Sequence, residues 1–192
     1  MIRNRKGDGD NLSWRPLSSL KPGELEKTAI KIGVEAETNL DVGMCLVNIS
    51  TDGFFGVLPG KLNFDGHHLC QFALQDSSQS YGMTEYNVAF GDPEEMCWKG
   101  WKPSDVGFPI KTLAMGWIKR SSSSSPGSGS GSALERHESD SFVSLGVCRG
   151  VVQNDPLVFI PGYLTLGLKS ECIIEYFGKR EPKEFQVLVD CH

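Results

Sequence analysis

Six stretches of the chain are short, apolar and rich in β-branched or aromatic side chains. They are MCLVNIS (44–50), HLCQFALQ (68–75), EYNVAF (85–90), SLGVCRGVV (144–152), ECIIEYF (171–177) and EFQVLVD (184–190). Gly, Pro, Asp and Ser bound them, which is how strands are punctuated. No window of about 12 residues sustains the 3.6-residue apolar period of an amphipathic helix. The segment PGELEKTAIKIG, Pro22 to Gly33, predicts one short helix at most, with Gly33 as its stop. The pattern therefore predicts an all-β fold of many short strands joined by turns. Pro59-Gly60 and Pro161-Gly162 suit type II turns, Pro presetting φ at the second position and Gly accepting positive φ at the third.

The apolar pattern is written twice. Trp14 and Pro16 align with Trp101 and Pro103, and Cys45 aligns with Cys148. Pro59-Gly60, Leu62 and Cys70 align with Pro161-Gly162, Leu164 and Cys172, and TEYNVAF (84–90) aligns with KEFQVLV (183–189). The landmarks keep one order, which is the signature of internal repetition. The predicted organisation is a tail over 1–13, a first repeat over 14–97 and a second over 98–192. Between its first two landmarks the second copy carries SSSSSPGSGSGSALERHESDS (121–141) where the first has GVEAETNLD. A Ser/Gly tract of this kind buries too little apolar area to order itself, so a flexible surface loop is expected.

Composition narrows the function. The 192 residues carry a net charge of −5, which argues against a phosphate-backbone or anionic-lipid partner. No apolar run approaches the roughly 18 residues that span a bilayer. The opening MIRNRKGDGDNLSW lacks the apolar core of a secretory signal, which favours a cytoplasmic protein over a secreted one whose signal has been removed. The six cysteines show no C-x-x-C spacing, so reduced and mostly buried thiols are expected. Cross-repeat disulfides, Cys45 with Cys148 or Cys70 with Cys172, are the other option.

The ordered set of Trp-x-Pro, a strand leading into Pro-Gly-Lys-apolar, a Cys-containing strand and a closing Glu-Tyr-x-Val resembles the DM9 repeat. In the first copy the matching pieces are Trp14, Pro16, MCLVNISTDGFFGVLPGKL, HHLCQFAL and TEYNVAF. In the second they are Trp101, Pro103, LGVCRGVVQNDPLVFIPGYL, SECIIEYFGK and KEFQVLV. The resemblance implies two tandem repeats related by a pseudo-twofold. It also implies a non-catalytic, mannose-type lectin, often dimeric, with a sugar site formed by an Asp ahead of the central strand and the Lys of Pro-Gly-Lys. Those residues here are Asp41 and Lys61, and Tyr163 stands where the second copy would carry its Lys.

An ammonium and a carboxylate fixed on rigid elements grip vicinal hydroxyls as donor and acceptor. The expected ligand-binding set is Asp41, Lys61, His67 and Tyr163. His67 and His68 are neighbours on the chain, so only one of them faces a groove, and a metal pair is not expected. Neither a cofactor nor catalysis is expected, because no Cys or Ser lies in a repeat position with a positioned His. Trp14 and Trp101 are expected as equivalent core anchors, and Trp117 as the surface tryptophan. The competing reading is a degenerate module that binds a protein through an apolar patch drawn from Phe54, Phe55 and Tyr163.

Overall fold

The computed structural model describes residues 12–35, 38–51, 54–75, 79–102, 111–120, 142–154, 157–166 and 171–191. The Ser/Gly run 121–141, Pro103 and most of the expected tail lie outside the described residues. The first seven strands are β1 (Ser13–Pro16), β2 (Lys31–Val34), β3 (Asp41–Thr51), β4 (Phe54–Asn63), β5 (Cys70–Ala73), β6 (Ser80–Met83) and β7 (Asn87–Phe90). The next seven are β8 (Cys97–Trp101), β9 (Ala114–Arg120), β10 (Phe142–Asn154), β11 (Leu157–Thr165), β12 (Cys172–Glu175), β13 (Lys179–Arg180) and β14 (Phe185–Val189). All pairings between them are antiparallel within one continuous sheet, whose main path runs β1-β7-β3-β4-β9-β10-β11-β12-β13. The all-β expectation is met.

Two local expectations fail. The helix α1 spans only Glu24–Thr28, and Gly33 lies inside β2 rather than ending a helix. A Cβ on Gly33 would stand 2.0 Å from the carbonyl oxygen of Phe159, so this residue must be glycine to let β2 lie against β11. The Pro-Gly pairs are not turns. Pro59 and Gly60 sit within β4 opposite Leu46 and Cys45, and Pro161 and Gly162 sit within β11 opposite Arg149 and Cys148. Close approach explains both glycines. A Cβ on Gly60 would lie 2.7 Å from the Gln71 carbonyl oxygen and 3.0 Å from Cys70 Sγ, and one on Gly162 would lie 2.0 Å from the Ile173 carbonyl oxygen. Pro59 falls where the second edge of β4 changes partner, between the residues paired with β9 (54–57) and those paired with β5 (61–62). A strand lacking one N–H is tolerated at such a gap.

The ladders of the two halves match step by step. Cys45 opposes Gly60 and Val88, as Cys148 opposes Gly162 and Val187. Leu62 opposes Cys70, as Leu164 opposes Cys172. Val34 opposes Asp41, as Trp117 opposes Ser144, which makes β9 the counterpart of β2. The glycines agree. A Cβ on Gly116 of β9 would meet the carbonyl oxygen of Val57 in β4 at 2.4 Å, mirroring Gly33 against Phe159. The tryptophan alignment needs correcting. Trp14 opposes Ala89 in β7, and the residue placed alike against β14 is Trp98, opposite Leu188, whereas Trp101 opposes Phe185. Trp14 and Trp98 pack on the same cluster, around Ile30, Ile32, Met44, Ala89, Val147 and Leu188.

The cysteines also differ from expectation. They form Cys45–Cys70, Cys148–Cys172 and Cys97–Cys191. The first two tie a central strand to the Cys-bearing strand of its own half, so neither the reduced state nor the cross-repeat pairing holds. The spacing hid this, because β3 and β5 are both neighbours of β4 and meet across it through the bare Gly60. Most of β4 is buried on both faces, so its sequence reads as a continuous apolar run and not an alternation. The main cluster draws on both halves, joining Leu58, Leu62, Phe72 and Val88 with Leu145, Tyr163 and Ile173. No helix among the described residues is long and apolar enough to cross a membrane.

Candidate functional site

Lys61 projects from β4 into the junction between the halves. Its side chain is 3% exposed, and Nζ lies 3.0 Å from Glu35 Oε1 and 2.9 Å from Glu175 Oε2. Glu35 follows β2 and donates its backbone N–H to the Leu40 carbonyl. Its other carboxylate oxygen accepts from Thr38 Oγ1 at 2.9 Å. Glu175 ends β12, in the other half of the chain. Its Oε1 accepts from Ser80 Oγ at 2.8 Å and from the Gly178 backbone N–H at 3.5 Å. Glu175 Oε2 has no aligned hydrogen bond, so its contact with Lys61 is a close charge pair and not a directional bond. The Asn63 side-chain oxygen, two residues along β4, is buried without a partner, while its amide donates to Gln71 Oε1.

The group therefore holds one ammonium, two carboxylates and a net charge of −1, almost dry. Removing three charges from water is expensive, and their attraction rarely returns more than the desolvation costs. The other half shows what the same positions hold without charge. By register, Tyr163 takes the place of Lys61, Ile118 that of Glu35 and Ala73 that of Glu175. Tyr163 is 2% exposed and donates its hydroxyl to the Ala73 carbonyl at 3.0 Å. Ile118 packs against the same cluster that contains Tyr163 and Ala73. Each half thus sends the residue after its Pro-Gly across to the Cys-bearing strand of the other half. One crossing is ionic, and the other is uncharged with a single hydroxyl-to-carbonyl hydrogen bond.

The four expected ligand residues are not brought together. Asp41 begins β3 and pairs with Lys31 Nζ at 2.6 Å, on a half-exposed surface position apart from the Lys61 group. His67 is exposed in the turn after β4, where its backbone N–H is held by the Asp65 carboxylate. His68 has φ of 49°, its Nε2 lies 3.1 Å from Glu26 Oε1, and its carbonyl accepts from the Tyr86 hydroxyl. Burial, with Asp65 nearby, pushes the Tyr86 phenol up to about 12. Tyr163 is a core residue. Only Lys61 sits in a polar cluster, and its partners Glu35 and Glu175 were not among the expected residues. A signal for them existed, in a charged residue closing the apolar strand ECIIE where the other copy writes CQFA. Glu35 was hidden because GVEAETNLD was matched to the Ser/Gly run and not to β9.

A second feature lies on the outer face of β4, β9 and β10. Phe55, Trp117 and Phe142 form a chain of edge-to-face rings, each neighbouring pair 5.3 Å apart. Phe55 is 54% exposed and Phe142 62%, and Lys119 Nζ stands 5.5 Å from the Phe142 ring centre. Trp117 was the tryptophan expected at the surface, and its half-buried ring is the middle of this patch. Arg149, the counterpart of Leu46, is held between the Trp98 and Phe159 rings, 4.3 Å from each centre, and burial lowers its pKa to about 10. Among the described residues no three His, Cys, Asp or Glu are grouped to hold a metal ion. No protein-family model matches the chain, and no curated protein matches it.

Proposed function

We propose that the chain is a non-catalytic carbohydrate-binding module of DM9 type, with one sugar site per chain built on Lys61, Glu35 and Glu175. The observation that carries this reading is the contrast between the halves. The equivalent crossing is filled by Tyr163 and Ile118 of the second half and Ala73 of the first, so the fold does not need the charges. We read an ionic group that the other crossing does without as one kept for recognition. Lys61 offers three donors, one of which is given to Glu35, and the carboxylates keep free lone pairs. Alternating donors and acceptors of this kind suit adjacent hydroxyls of a mannose-type sugar. Glu35 and Glu175 replace Asp41 and His67 in the proposed set, and Tyr163 drops out because it lies in the other crossing with its hydroxyl given to the Ala73 carbonyl.

Three disulfides fit an oxidising compartment, so we place the protein outside the cytoplasm. A glycan array tests the sugar reading, with Glu35→Gln beside the wild-type protein. That exchange keeps shape and leaves Lys61 balanced by one carboxylate. Mannose-type signals should appear for the wild-type protein and fall about tenfold in the variant. A blank array from folded protein would sink the reading.

The Phe55–Trp117–Phe142 patch favours a second reading, association with a protein through this face. The partner we favour is a second copy, because one weak sugar site per chain gains avidity only when chains are linked. Sedimentation should show a dimer that Phe142→Ser splits. A monomer at all concentrations would remove this reading.

A further inference from the structure

The third disulfide stands apart from the other two. Cys45, Cys70, Cys148 and Cys172 are at most 1% exposed, whereas Cys191 is exposed and Cys97 half-buried. The matching ladders treat it differently as well. Ser13 opposes Phe90 as Cys97 opposes Val189, so Ser13 and Asp92 stand in the first half where Cys97 and Cys191 stand in the second. The first half therefore closes without this bond. In the second half β8 is already held to β14 by five paired residues, Cys97–Trp101 against Phe185–Val189. Opening the bridge leaves that ladder in place.

Cys97 and Cys191 line a surface cleft together with the buried Ile30 and Leu188 and the acidic residues Asp92, Glu95 and Asp190. Among the described residues no Lys, Arg or His lines it. Lys111 approaches through its backbone, where its carbonyl accepts from the Asp190 N–H. An accessible disulfide thus sits in a cleft of one charge sign, and such a cleft concentrates partners of the opposite sign.

We propose that Cys97–Cys191 is a modification site for small thiols that carry a positive charge. The incoming thiolate attacks Sγ of the exposed Cys191. A bond forms between the two sulfurs as the Cys97–Cys191 bond breaks. The electron pair leaves on Cys97 Sγ, which takes a proton from water. The product is a mixed disulfide at Cys191 and a thiol at Cys97, so the incoming sulfur is oxidised and that of Cys97 reduced. The acidic residues set the selectivity. A thiolate carrying an ammonium group arrives with no net charge, whereas one carrying a sulfonate arrives doubly negative. Fields of this kind reach about 8 Å at physiological salt.

The test treats the full chain separately with cysteamine and mercaptoethanesulfonate, thiols of similar size and opposite charge. Mass mapping locates the adduct. Each rate is divided by the thiolate concentration and by the same thiol's rate on a neutral small disulfide, which removes intrinsic nucleophilicity. The adduct should sit on Cys191. The corrected rates should favour cysteamine by about fivefold or more at low salt and by less than about twofold near 1 M salt. Glu95→Lys, at an exposed position, should reduce the low-salt preference about threefold. Equal corrected rates at low salt would overturn the charge selection. An adduct on Cys97, an earlier one on Cys45, Cys70, Cys148 or Cys172, or none at all would overturn the site.

Discussion

Lys61 is the residue on which stability and recognition pull apart. Truncating it to Ala would leave Glu35 and Glu175 facing each other with little water between them. Breaking a buried ionic group from one side costs about 3–5 kcal/mol. Exchanging the whole set for the residues of the other crossing, Lys61→Tyr with Glu35→Ile and Glu175→Ala, removes every charge at once. Urea unfolding should place that triple variant within about 1 kcal/mol of the wild type, or above it. Tyr86 gives a second residue-scale prediction. Its folded pKa is raised to about 12 from 10, so the neutral phenol contributes stability that is whole below pH 10. That contribution is lost as pH climbs from 10 towards 12. An ultraviolet titration should show a late tyrosinate step that Tyr86→Phe reduces, and a wild-type profile ending near pH 10 would refute the burial argument. At this scale the sequence revealed Lys61, because it follows a repeated Pro-Gly and differs from its counterpart. It did not reveal Glu175 as its partner, since that contact joins β4 to a strand more than a hundred residues away and depends on how the halves dock.

Strands were legible where elements were short and apolar, and each of the six apolar runs contains a described strand or part of one. Their connections were less legible. Pro-Gly carries two meanings, positive φ or close approach, and sequence alone does not choose between them. In β4 and β11 the meaning is close approach, since a Cβ on either glycine would meet a carbonyl oxygen of the neighbouring strand, and on Gly60 the sulfurs of Cys45–Cys70 as well. Alanine tests this. Gly162→Ala puts a Cβ where the Ile173 carbonyl oxygen stands and should cost about 3 kcal/mol or more by denaturant unfolding. Gly23, with φ of 72° and open space around it, belongs to the other class and is sensitive only through its backbone. The helix prediction overran for a related reason. The segment after Thr28 is apolar enough for either element, and pairing of β2 with β3 decided it.

The whole molecule is two matching ladders stitched by disulfides, and its halves meet through reciprocal contacts that differ in chemistry. The matching ladder positions were foreshadowed by the landmarks, but the Ser/Gly run displaced the alignment of β2 with β9 and hid the Glu35–Ile118 exchange. The disulfides are a whole-molecule property too. Cys45–Cys70 and Cys148–Cys172 are buried, whereas Cys191 is exposed. Mild reductant with thiol mass labelling should therefore open Cys97–Cys191 first, and loss of either buried bridge should cost about 2–5 kcal/mol. Labelling of Cys45 ahead of Cys191 would contradict that order. On the proposed reading the ionic crossing serves sugar recognition and not the fold. The most direct test of that reading is calorimetric titration of a mannose oligosaccharide into the wild-type protein and into the folded triple variant that carries Tyr, Ile and Ala at 61, 35 and 175. Saturable binding is expected for the wild type and none for the variant. Equal binding by the two proteins, or none by the wild type, would contradict it.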